Sequence, residues 1–101
     1  MNFINFGDSN NRWELDTIKE IVSLIKSYTV VHHLKNVKLR NVEDARRSDP
    51  ENQRFNVDII YTDKDGMLIE QRLLILKGEV IDGEEFHKRR EEFYPRKAVQ
   101  A

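Results

Sequence analysis

Along residues 54–76, RFNVDIIYTDKDGMLIEQRLLIL, two runs of alternating apolar and polar side chains flank an Asp-Lys-Asp-Gly turn, the pattern of a β-hairpin. A three-residue loop of Lys64, Asp65 and Gly66, with Gly66 left-handed, sets Phe55 against Ile75, Val57 against Leu73, Ile59 against Gln71 and Tyr61 against Ile69. One face of the ribbon is then almost wholly apolar. A slip of one residue would bring Arg72 and Glu70 onto that face, so the register is well specified.

Upstream the period changes. Trp13, Leu15, Ile18, Ile21, Val22, Ile25 and Tyr28 recur at helical steps, which predicts an amphipathic helix capped by Asn10 or Asn11 and ending near Tyr28, before the β-branched Thr29, Val30 and Val31. Val37, Leu39 and Asn41 alternate with Lys38 and Arg40, as in a half-buried strand. The polar stretch EDARRSDPENQ predicts a mobile loop over residues 43–53. Downstream, Gly78 marks a turn, and Asp82 caps a helix with Glu84 and Glu85 in its first turn and Pro95 as its stop. Residues 1–11 fit either a flexible tether or an edge strand.

The expected architecture is a single small α+β domain over residues 1–101. It orders helix, three strands and helix (α-β-β-β-α), with a three-stranded antiparallel sheet and both helices packed on one face. With 39% apolar residues, the 101-residue chain supports one modest core. Seventeen basic residues nearly cancel eighteen acidic ones, leaving a formal net charge of −1, so no global field attracts polyanions or anionic lipid. Cysteine is absent, which excludes disulfides and thiolate metal sites. No apolar run nears the roughly 20 residues that span a bilayer, and the amino terminus lacks the features of a signal peptide; a cytoplasmic protein without membrane contact is expected.

Candidate chemistry is sparse. Asp58 and Glu70 share a face at a diagonal of roughly 7–8 Å, from which two carboxylates can share a divalent metal. A helix followed by strands bearing Asp58 and then Glu70-x-Arg72 resembles the core of metal-dependent restriction-type nucleases over residues 13–76, with Arg72 where that motif has lysine. The resemblance implies metal-dependent phosphodiester cleavage. The simpler reading, which the register favours, is a cross-strand ion pair between Asp58 and Arg72. His32 and His33 are adjacent and splayed, and His87 is remote, so no metal or other cofactor is expected. None of the serines sits in a nucleophile elbow and the glycines are isolated, so no enzyme and no small-molecule ligand is indicated.

Two binding surfaces remain. Ile60, Leu68, Leu74 and Leu76 fall on the face opposite the core and form a candidate protein-binding patch, through a partner or self-association as a homodimer, unless the final helix covers them. Lys38, Arg40, Arg46 and Arg47, with Lys88, Arg89 and Arg90 of the last helix, form the alternative, a nucleic-acid surface. The element order is also similar to that of double-stranded RNA-binding domains, whose glycine-flanked lysine motif is replaced here by DGEEFHKRR. A non-enzymatic protein acting through protein contacts is the leading expectation.

Overall fold

The hairpin takes the expected register throughout: β2 (Phe55–Thr62) and β3 (Leu68–Leu76) pair antiparallel with Phe55 opposite Ile75, Val57 opposite Leu73, Ile59 opposite Gln71 and Tyr61 opposite Ile69. The computed structural model describes residues 14–96. The amino-terminal tether or strand and the Asn10 or Asn11 cap lie outside the described residues. Gly66 adopts φ 82°, and the Asp63 carboxylate accepts the Asp65 and Met67 amides, each at 2.9 Å, so the loop satisfies its own donors.

α1 (Leu15–Val31) lays Ile21 and Ile25 on the inward face of this ribbon, against Val57, Ile59, Leu73 and Ile75. Each fully buried aliphatic side chain there contributes about 1.5–3 kcal/mol. The helix runs three residues beyond the expected stop because its end closes well: the Leu34 amide donates to Thr29 O at 2.9 Å and the His33 amide to Val30 O at 3.2 Å. Those bonds offset the poor helix propensity of the β-branched residues.

β1 (Lys35–Asp44) pairs with β2 but slips twice, between Lys35 and Lys38 and between Leu39 and Asn41. The second bulge changes which residues face inward: Leu39 opposes Ile59, and Val42, not Asn41, opposes Val57 in the core. Asn41 instead opposes Asp58 on the outer face.

Among the described residues the sheet has four strands rather than three. Lys77 and Gly78, at φ 51° and 77°, make a two-residue turn into β4 (Glu79–Ile81), and the order is β1-β2-β3-β4. The helices do not share a face. Leu73 and Ile75 point to α1, whereas Leu74 and Leu76, alternating with them, join Ile81, Phe86 and Phe93 in a second cluster under α2 (Gly83–Phe93). Apolar residues on both sides of β3 demanded two covers. Asp82 caps α2 as expected, accepting the Glu85 amide at 2.8 Å, and the Tyr28 hydroxyl donates to its other oxygen at 3.0 Å, tying α1 to the start of α2.

The segment expected to be a mobile loop over residues 43–53 is anchored. β1 continues to Asp44, and Asn52 is buried at 2% exposure, donating to Phe93 O at 3.0 Å while its carbonyl accepts the Lys77 amide at 2.6 Å. With its side-chain amide nitrogen donating to Phe93 O and Asp49, and its backbone carbonyl engaged, burial of this polar residue carries little penalty. The Tyr94 hydroxyl donates to Asp49 and accepts from Arg54 at 3.0 Å, closing the same tie.

Candidate functional site

At one end of the molecule α1 stops, β1 starts and the β2–β3 loop turns. His33 is the pivot, holding φ 55° at the position after the helix cap where glycine is usual. Asn36, at φ 56°, sits in the first bulge three residues later. Two non-glycine residues in left-handed conformations so close together keep local strain at this end.

Between the turn and the hairpin lies a cleft of about 640 Å³ lined by His32, His33, Leu34, Lys35, Tyr61 and Lys64, among others. On the elements that border it, Val30 (73% exposed) and Val31 (69%) end α1, and Met67 (63%) and Leu68 (75%) leave the hairpin loop; the other large exposed apolar side chain among the described residues, Leu15, starts α1. Lys35 and Lys64 outnumber Asp63 among the charged lining residues, so the rim is positive on balance.

The four residues of the expected apolar patch separate. Leu76 is fully buried and Leu74 half-buried in the cluster with Ile81, Phe86 and Phe93, so neither belongs to an exposed surface. Their cover is the final helix with β4, the alternative that the two-sided apolar pattern of β3 already offered. Ile60 and Leu68 remain on the outer face, Ile60 half-buried between its cross-strand neighbours Lys38 and Glu70. Val30, Val31 and Met67 were not singled out by pattern; the signal was a β-branched pair at the end of the apolar stripe of α1, and an apolar residue directly after a turn.

The basic residues separate as well. Lys38 and Arg47 are exposed, Arg40 pairs with Glu70, and Arg46 grips Asp44 through Nε at 2.9 Å and Nη2 at 2.7 Å with its guanidinium over the Phe55 ring. On α2, Lys88 stands 3.7 Å from Glu84, Arg89 pairs with Glu79, Glu85 and Glu92, and Arg90 is exposed. Asp58 takes both oxygens to Arg72, at 2.8 and 3.2 Å, the expected cross-strand pair, and Glu70 is held by Arg40. The two carboxylates that the nuclease resemblance would assign to a metal are therefore each engaged by an arginine. Among the described residues no group of three or more His, Asp or Glu is placed to hold a metal.

Displaced ionisation equilibria mark structural ties. Burial, then the bond to Asp82, pushes the Tyr28 phenol up to about 12. The Arg46 hydrogen bonds hold the Asp44 carboxyl below its ordinary range, and the Asp58 partner raises the Arg72 guanidinium. Tyr28 and Arg72 each link two elements, whereas Asp44 holds Arg46 within one turn, and no buried side-chain polar atom among the described residues lacks a partner. A general acid or base would need an unfilled side facing a cleft.

No known protein family matches the chain, and neither curated proteins nor solved structures yield a match. Among the described residues, no helix is long and apolar enough to cross a membrane.

Proposed function

We propose that this is a small cytoplasmic, non-enzymatic binding protein that docks a segment of another protein at the end formed by the α1–β1 turn and the β2–β3 hairpin. The observation that carries the reading is that Val30, Val31, Met67 and Leu68, four of the five large apolar side chains left exposed among the described residues, lie on the two elements that border a cleft with a positive rim. The partner segment presents apolar anchors flanked by carboxylates. Two copies of this chain would bring like-charged rims together, which favours a different protein over a homodimer. The engagement of Asp58 by Arg72 and of Glu70 by Arg40 supports a binding role over metal-dependent cleavage.

The test is quantitative capture from lysate by wild type and by a Val31→Asp/Leu68→Asp variant, with unfolding curves for both. Proteins retained by wild type and lost by the variant, at unchanged stability, support the reading when a peptide from the captured protein with carboxylates beside its apolar residues competes. Retention that ignores the substitutions rejects it. Sedimentation over a concentration series adds the remaining arm: a dimer dissolved by the same substitutions would replace the foreign partner with a second copy.

A further inference from the structure

Four glutamates along α2, Glu84, Glu85, Glu91 and Glu92, outnumber its three permanent cations, Lys88, Arg89 and Arg90, but the fold distributes them unevenly. Arg89 lies over the Phe93 ring on one flank of the helix and there gathers Glu85 at 3.5 Å, Glu92 at 2.9 Å and Glu79 of β4. Glu84 turns to Lys88. The opposite flank carries His87, Arg90, Glu91 and Tyr94 at helical spacing, and together with Lys88 and Arg96 they line a groove of about 310 Å³. Among the described residues neither Arg90 nor Arg96 has an ion-pair partner, and Glu91 is the lone acid of the groove.

We propose that this groove binds a phosphate-bearing ligand of about nucleotide size, held by the guanidinium groups of Arg90 and Arg96 with Lys88 and His87 completing the positive rim. A guanidinium offers two parallel donors that match phosphate oxygens, and both arginines are exposed with those donors available. The carbonyl end of α2 disfavours an anion by roughly half a charge; with Lys88 already facing Glu84, Arg90 and Arg96 against Glu91 leave a net positive charge that outweighs it. The volume is at the small end of ligand sites, large enough for a nucleoside monophosphate. Tyr94 supplies an aromatic wall whose position is fixed: its hydroxyl is bonded to Asp49 and its ring meets Phe86 edge-on, with centroids 5.9 Å apart. The site is separate from the docking end and does not depend on it.

The test is a nitrogen-15 NMR titration of the full chain with inorganic phosphate, adenosine monophosphate and adenosine at low salt. Phosphate and the monophosphate should give saturable shifts at His87, Arg90 and Tyr94, and adenosine none. Tighter binding of the monophosphate would assign the ligand to nucleotides, whereas equal binding would assign it to phosphate esters at large. Arg90→Gln should weaken binding about tenfold, the loss of one charge-assisted contact, and Glu91→Gln should tighten it, both at unchanged thermal stability. Shifts spread equally over Lys38 and Arg47, adenosine matching its monophosphate, or an Arg90→Gln titration indistinguishable from wild type would overturn the proposal.

Discussion

His33 bears the conformational cost of ending α1. A side chain at φ 55° is disfavoured by about 1–2 kcal/mol relative to the right-handed region, a penalty that glycine escapes. His33→Gly should therefore stabilise the fold by about 1 kcal/mol in denaturant unfolding, less the entropy that glycine gains in the unfolded chain. Tyr28 gives the complementary case. Its phenol ionises near 10 when free and near 12 in the fold, so the neutral form is favoured by folding. The contribution is complete below pH 10 and fades as pH rises towards 12. Tyr28→Phe should lose some stability at neutral pH and should flatten the alkaline decline, measured as unfolding midpoints across that range.

At the scale of elements, β2 and β3 were legible because burial on one face imposes a period of two, and because the Asp-Lys-Asp-Gly turn admits one loop geometry. Val57, with no exposed surface, lies at the centre of that pattern. Val57→Asp should cost about 4 kcal/mol or more, an unpaired charge in the core, and circular dichroism at ordinary temperature should show a largely unfolded chain. β1 was legible only in part, since a bulge shifts the period without a residue that announces it, and Val42 took the place that alternation gave to Asn41. Polar composition concealed the anchoring of Asn52, because a polar residue signals a loop whether or not its hydrogen bonds are supplied from afar. For the docking end, Leu68 could be found from alternation. Val30, Val31 and Met67 required knowing that the helix end and the hairpin loop are neighbours.

For the molecule as a whole, the sheet separates two apolar clusters of unequal size. The larger, under α1, includes Ile21, Ile25, Val42, Phe55, Val57, Ile59, Leu73 and Ile75, whereas the smaller rests on Leu76, Ile81 and Phe93. Phe93→Ala should cost about 3 kcal/mol, and the loss should be regional. Hydrogen exchange would then show amides of α2 and β4 opening while those of β2 stay protected; uniform loss of protection would mean that the two clusters fold as one unit.

The irregular course of β1 has a consequence for life at high protein concentration. An outermost strand normally offers neighbouring chains a template for fibril growth, but the interruptions beside Asn36 and Arg40, with Lys35 and Lys38 between and around them, put the template's donors and acceptors out of step with any straight newcomer. Crowded solutions of this chain should accordingly resist amyloid seeding along β1, the longer of the two sheet borders among the described residues.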